Sequence, residues 1–381
     1  MDAIPWYNRA VTGHGSGHSQ LNVSGAQQPM RKATIRDVAA AAGVSYQTVS
    51  RVLNDKPDVA EQTRQRVKKV VADLGYVPSA TARGLSSGRA SSVALLISNL
   101  TNPFSAEVAS GVQRFFGEKG IGVVLGNIRA DPEEEWRQLE VALAQGVGGI
   151  LIAPGNDDDP VVAEVKRRNM PCVVLDARGD FGVDVVRGDS LGGAYELTKL
   201  LLDLGHRRIA LVNARRDNST ARDRFAGYAR ALAEKGIKKD EALVKWGPSL
   251  FYTMEYGARA TEELLGMPDP PTAVFAGNDF VAMGVLGALT ARQMRVPDNV
   301  AVVSFDGITL PFLTAVIQPA VEMGRIAASM LHERMQGFEG PPREHVVPVN
   351  LRISGSSGEL LPQAVRKQQR ERKEVQLASR S

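Results

Sequence analysis

A chain of 381 residues exceeds one ordinary hydrophobic core, so two or three domains are expected, and 43% hydrophobic with 23% charged residues is the composition of a globular protein. Its one cysteine, Cys172, excludes an internal disulfide framework and fits a reducing cytoplasm; no run of about 18 apolar residues suggests a membrane span, and no secretory signal pattern opens the chain. The net charge of +4 is unevenly placed: residues 31–89 hold eleven Lys/Arg against five Asp/Glu and residues 361–381 six against two, so a polyanion partner is expected at the N-terminal end.

Residues 1–30 are rich in Gly, Ser, Gln, Asn and His without an apolar period and read as a disordered tail. Residues 31–78 read as an all-α unit of three short helices. Thr34, with Asp37 three residues on, can cap the first. Ser45 opens the second after Gly43-Val44. The third is expected over about Glu61 to Leu74, with Val67, Val70, Val71 and Leu74 inward and Gly75 as its stop. Pro78 then breaks the chain, and residues 79–91 form a small, polar linker with room for one helical turn.

From Val93 apolar runs alternate with amphipathic segments. VALLIS, IGVVLGN, GGILIAP and PCVVLD read as buried strands, each followed by a helix. The series resumes with RRIALVN, TAVFAGND and VAVVSFDG. Such alternation means parallel α/β units, and a break near residues 188–206 suggests two doubly wound halves within residues 92–355. No GxGxxG opens a helix after a strand and no GxxxxGK[ST] occurs, which argues against dinucleotide and P-loop chemistry.

The most informative stretch is GVSYQTVSRVLN, Gly43 to Asn54. Val49, Val52 and Leu53 fall at helical spacing and can bury one face, leaving Tyr46, Gln47, Ser50 and Arg51 opposite. Two short helices joined by a Gly-containing turn have the pattern of a helix-turn-helix, whose second helix lies in the DNA major groove. Gln47 can pair bidentately with adenine and Arg51 with guanine, while Tyr46 can touch a thymine methyl, a base edge or a phosphate. Thr48 and Ser50 are sized for phosphate contacts that set register, and Thr34 and Ser45, at the starts of the two helices, are counted with them as DNA-binding residues.

TIRDVAAAAGVSYQTVSRVLN, then QTRQRV, then LGYVPSATARGL resembles the lac repressor (LacI/GalR) family of bacterial transcription regulators over about residues 33–355. The resemblance implies that Tyr46, Gln47 and Arg51 read bases. It also implies a hinge helix that forms on the operator, with Leu85 wedged into the central minor-groove step and Ala82 and Arg83 beside it. Gly84 departs from the commoner larger residue and predicts a hinge unfolded in the free protein. Ala60 stands where the family places a capping serine, and Asp58 is the expected substitute.

The same resemblance implies a periplasmic-binding-protein-like body that dimerises and holds an effector between its halves, at the carboxyl ends of the strands. Asn102, Phe104, Asp176, Arg224, Tyr252, Asn278, Asp306 and Gln318 are the expected effector contacts, chiefly Arg224 and Asp306. Carboxylates, an arginine and amides suit sugar hydroxyls, and an aromatic ring suits a sugar's apolar face. Each acid or amide alone could equally be a helix cap or strand-end turn. Gly307, where many members carry a second acid, and SGSSG near the C-terminus are departures that bear on ligand identity.

His206, between a helix and a strand, and Cys172, in an apolar strand, have no partner suggesting catalysis, so no enzyme, cofactor or metal site is expected. The expected protein is a cytoplasmic homodimeric regulator, a repressor, of near-palindromic double-stranded operator DNA, controlled by a small molecule, by preference a sugar. A purine-type corepressor and a solute-binding protein without transcriptional role are the alternatives. Residues 356–381 lack the repeated apolar positions of a tetramerising heptad and read as a basic, disordered tail.

Overall fold

The computed structural model describes residues 33–76, 90–128, 131–154, 159–248 and 252–358. Chain contacts divide it into a unit ending at Ser79 and a unit beginning at Ala80. The expected terminal tails and the hinge residues Ala82, Arg83, Gly84 and Leu85 lie outside the described residues.

In the first unit, α1 (Ile35–Ala42) starts at a full capping box: Thr34 Oγ1 accepts from the Asp37 amide and Asp37 accepts from the Thr34 amide. Gly43, at φ 63°, ends it in the left-handed conformation that glycine adopts without Cβ strain. Ser45 caps α2 (Tyr46–Leu53) through the Thr48 amide. The third helix, α3 (Glu61–Asp73), closes a core of Val38, Ala39, Ala42, Val49, Val52 and Val67. Two expectations fail here. Leu74 lies one residue past α3 and is 42% exposed, because the helix has ended before its side chain can turn inward. Asp58 does not replace the missing cap, since Ala60 occupies the N-cap without a side-chain bond and Asp58 pairs with Arg51 instead. The turn between α2 and α3 is held by Arg64, which donates to the Lys56 carbonyl at 2.6 Å and to Asp55 at 3.2 Å.

The second unit holds two six-stranded sheets. The first lobe contains β1 (Ser92–Ile97), β2 (Gly122–Asn127), β3 (Ile150–Ile152), β4 (Cys172–Leu175), β5 (Asp184–Gly188) and β11 (Glu344–Val347), in the order β11-β5-β4-β3-β1-β2, all parallel. The second contains β6 (Ile209–Asn213), β7 (Val244–Trp246), β8 (Ala273–Ala276), β9 (Ala301–Asp306), β10 (Thr314–Ile317) and β12 (Asn350–Arg352), in the order β12-β10-β9-β8-β6-β7. Only β12 is antiparallel among the described strands. Along β1, Val93, Leu95 and Ile97 enter one core and Ala94 and Leu96 the other, so both faces are covered and the strand is continuously apolar. IGVVLGN is the exception to the expected buried strands: β2 is the sheet edge, and Leu125 is 38% exposed.

Helices α4 (Pro103–Gly117), α5 (Pro132–Ala144), α6 (Pro160–Arg167) and α11 (Ala320–Met335) cover the first sheet, and α7 (Ser190–Asp203), α8 (Ser219–Glu234), α9 (Met254–Leu265) and α10 (Asp279–Ala291) the second. Helices α4 and α11 touch backbone to backbone: a methyl added at Gly111 would overlap the Val321 carbonyl, and one at Gly324 the Val108 carbonyl. The lobes are not consecutive halves. The chain leaves the first lobe after Gly188, at the near edge of the expected break, returns after Gln318, and crosses again after Val347. Ser356 and Ser357, expected in the tail, are buried in the second lobe. Ser356 Oγ accepts from the Thr314 amide and donates to the Val302 carbonyl, and Ser357 pairs with the Thr314 hydroxyl at 2.8 Å.

Candidate nucleic-acid interface and ligand cleft

Because Val49 and Val52 are fixed in the core, α2 must turn Tyr46, Gln47 and Arg51 to solvent, and Tyr46 is 56% exposed. The hydroxyls of Ser45 and Thr48 meet at 2.9 Å, a capping pair at the start of the helix. Ser50 is half-buried and its oxygen takes a 3.4 Å bond from Asn54 Nδ2. Thr34 is exposed at the start of α1. The face therefore presents a phenol, an amide and a guanidinium above a rigid apolar floor, which is what groove reading of base edges requires.

The second constellation lies between the lobes of the body, at the carboxyl ends of β1 and β4 on one side and of β8 and β9 on the other. Counting its open, solvent-filled mouth, the space between the lobes here is about 750 Å³. Asn102, Phe104, Asp176, Arg224, Tyr252, Asn278 and Asp306 all line it. Gln318 does not: it is buried behind the wall, and its Nε2 donates to Asp306 Oδ1 at 2.8 Å. Asn102 and Asn278 are helix caps as well as lining residues, accepting from the Phe104 and Val281 amides, so the two roles coincide. The sequence reading missed Ser98, Asn99, Ser105, Asn218 and Thr220 in the lining. Ser98 and Asn99 directly follow β1, a signal the sequence carried, whereas Ser105, Asn218 and Thr220 sit at the starts of α4 and α8.

Arg224 organises the cleft. It is 2% exposed; Nη1 donates to the Gly277 carbonyl at 2.6 Å and to Tyr252 Oη at 3.1 Å, and Nη2 stands 3.7 Å from Asp306. Its guanidinium lies 4.0 Å from the ring centre of Phe305, while its Nε has no partner. Tyr252 in turn donates to Asn213 at 3.0 Å, a buried amide that also binds the Ala221 carbonyl and the Ala214 amide. Both carboxylates sit at strand ends in the left-handed region, Asp176 at φ 50° and Asp306 at φ 79°. Non-glycine residues held there gather at functional sites. Burial pushes Asp306 up to about 6 and Asp176 up to about 7 against the pull of Arg224. The loop after Asp306 is pinned by Asp279, which accepts from the Ile308 and Thr309 amides at 2.8 and 2.7 Å. Elsewhere, Cys172 is core, its thiol pushed up to about 12 by burial, and His206 Nδ1 meets the Thr272 hydroxyl at 2.9 Å.

A helix-turn-helix unit in one chain with a two-lobed, cleft-bearing α/β body defines a DNA-binding transcriptional regulator. Residues 34–79 match the bacterial regulatory proteins of the lacI family, and residues 198–357 match the periplasmic binding protein-like domain. The HTH-type transcriptional repressor PurR of Erwinia tasmaniensis is 35% identical over 312 residues, 80% of this chain and 90% of that protein. Among solved structures, a transcriptional regulator CelR–cellobiose complex is 34% identical with a TM-score of 0.65, covering 85% of this chain and 99% of that one. The lac repressor dimer bound to operator and the anti-inducer ONPF is 26% identical with a TM-score of 0.77, covering 86% and 99%. The chain belongs to the lacI family of bacterial regulatory proteins.

Proposed function

We propose that the protein is a cytoplasmic repressor without catalytic activity, which binds a near-palindromic operator as a homodimer and whose DNA affinity is set by a small hydroxylated effector, a sugar, held between the lobes. The carrying observation is the cleft. A buried guanidinium with an unpartnered Nε lies beside two carboxylates and the amide of Asn278, with the Phe104 ring on the opposite lobe. Alternating donors and acceptors suit neighbouring hydroxyls, which both give and take hydrogen bonds. Support also comes from the cellobiose carried by the CelR structure and the operator carried by the lac repressor dimer.

On this reading residues 31–78 engage the major groove, with Tyr46, Gln47 and Arg51 on base edges and Thr34, Ser45, Thr48 and Ser50 setting register on phosphates. Residues 79–91 form the hinge, with Ala82, Arg83 and Leu85 in the central minor groove. Asn102, Phe104, Asp176, Arg224, Tyr252, Asn278 and Asp306 contact the effector, and Gln318 acts through Asp306. The test is sequencing of genomic DNA captured by the purified protein at stated salt, with and without a pool of sugars and purines. Enrichment of a palindrome with a central CG step, altered by sugars, is the expected outcome. Response to purines alone replaces the effector class, and no enriched motif under either condition overturns the reading.

A further inference from the structure

The base-facing guanidinium of Arg51 is not free in the structure. It forms an ion pair with Asp58, a residue of the turn leading to α3 that makes no capping bond there. Both side chains are solvent-exposed, 59% and 46%. That turn is not loose: the Lys56 amide donates to the Arg51 carbonyl at 3.0 Å, and Arg64, with its side chain only 14% exposed, clamps the Lys56 carbonyl and Asp55. Asp58, two residues past the held Lys56, thus sets a negative charge beside a residue whose exposed partners on DNA are all electron-rich.

Resting on the operator-binding reading above, we propose that Asp58 is a specificity-determining residue of the DNA-reading face. It holds the Arg51 guanidinium in the orientation that meets a guanine edge and withholds it from phosphates. The chemistry follows from the donor count. A guanidinium has five N–H groups in a fixed fork; the pair with Asp58 engages Nη2, and a bidentate guanine contact needs only two of the others. A phosphate approaching the same arginine meets the Asp58 carboxylate as well, and like charges oppose it. A guanine edge presents only partial negative charge at O6 and N7, so the opposition there is weaker than at a phosphate. The effect thus falls on non-specific binding, where nearly all of the affinity is phosphate attraction, and on discrimination at the base pair that Arg51 reads.

The neighbouring acid supplies the control. Asp55 lies in the same turn but pairs with Arg64 and Lys68, away from Arg51. Its backbone is left-handed, at φ 48°, a conformation that asparagine tolerates. Asp58→Asn and Asp55→Asn therefore remove one charge each from the same module, but only the first removes Arg51's partner.

The experiment measures binding of the full-length parent and both variants to a captured operator, to that operator with the Arg51-contacted guanine replaced, and to a scrambled duplex of equal length, across a salt series. For Asp58→Asn we expect, per subunit, binding to the scrambled duplex to tighten about threefold and the log–log salt slope to steepen by about 0.9, so that the dimer's slope steepens by about 1.8, as one added phosphate contact in each subunit requires. The penalty for the replaced guanine should shrink, while Asp55→Asn leaves that penalty at the parental value. Thermal melting should place all three proteins close together, because Asp58 is exposed and an asparagine at position 55 keeps an amide oxygen for Arg64 to bond. An unchanged guanine penalty in Asp58→Asn, or an equal reduction in both variants, overturns the proposal while the operator reading stands. A parent that prefers no captured sequence overturns both.

Discussion

Asp306 offers the sharpest test of how the cleft is built, because its burial has a measurable consequence without any ligand. Its carboxyl is raised from an ordinary 3.8 to about 6, by burial first, against the pull of Arg224. A raised acid contributes stability that is fully present below the unfolded value and is lost as pH rises through the folded one. At 1.36 kcal/mol per unit, a rise from 3.8 to about 6 corresponds to roughly 3 kcal/mol lost between about pH 4 and pH 7. Asp306→Asn keeps the shape and an oxygen for Gln318 Nε2 but cannot ionise. It also removes a negative neighbour that raises Asp176, so both parts of the loss should shrink. Urea unfolding of parent and variant from pH 4 to pH 8 reads the effect. The two stabilities should start close together at pH 4 and diverge in favour of the variant as pH rises, by up to roughly 3 kcal/mol, the weaker pairing of Arg224 setting how far below that limit the difference falls. Parallel curves would refute the claim that the folded cleft retains this proton.

A second carboxyl behaves similarly, raised again by burial first and then by a neighbouring acid. Glu135, 4% exposed in the first turn of α5, is pushed up to about 9 by burial and by Asp159, so its contribution to stability fades as pH climbs from about 4.5 towards 9; Glu135→Gln, which keeps a donor for Asp159, should be the more stable protein in urea unfolding at pH 9 and close to the parent at pH 5. Gly324→Ala should lower stability by about 1–3 kcal/mol, since its methyl would strike the Val108 carbonyl where α4 and α11 cross, and a parental urea midpoint would show that the helices separate freely. Arg51→Ala should relax discrimination at one base pair by about 1–3 kcal/mol in a panel of operator variants; uniform weakening across the panel would assign Arg51 to phosphate instead.

The DNA-reading unit was legible almost residue by residue, because its signals are local. A capping box at Thr34, a left-handed glycine at Gly43, a cap at Ser45 and apolar spacing at Val49 and Val52 together leave Tyr46, Gln47 and Arg51 no direction but outward. The cleft was legible more coarsely. The family resemblance, with the polar and aromatic residues that follow the strands, anticipated seven of its lining positions, yet passed over Asn218 and Thr220 at the start of α8. Gln318 was placed one layer too near the ligand, since sequence order cannot say whether a side chain after β10 faces the cleft or the wall behind it.

What sequence alone determined, then, were the features set within one helical turn or one strand: the solvent-facing side of α2, the parallel α/β alternation, the burial of Cys172 and the polar character of the strand ends. What only the tertiary structure decided depended on residues far apart in the chain. The return of α11 and β11 to the first lobe makes the lobes interleaved rather than consecutive. The edge position of β2 exposes a strand whose composition is that of a buried one. The pairing of Arg51 with Asp58, rather than a cap at α3, follows from how the turn folds back on α2. The raised carboxyls of Asp176 and Asp306 arise because elements of separate lobes bring two buried acids and Arg224 together at one cleft. Hydrophobic periodicity reports which side of an element is inward, but not which other element it will meet, and charge–charge environments are set by that meeting.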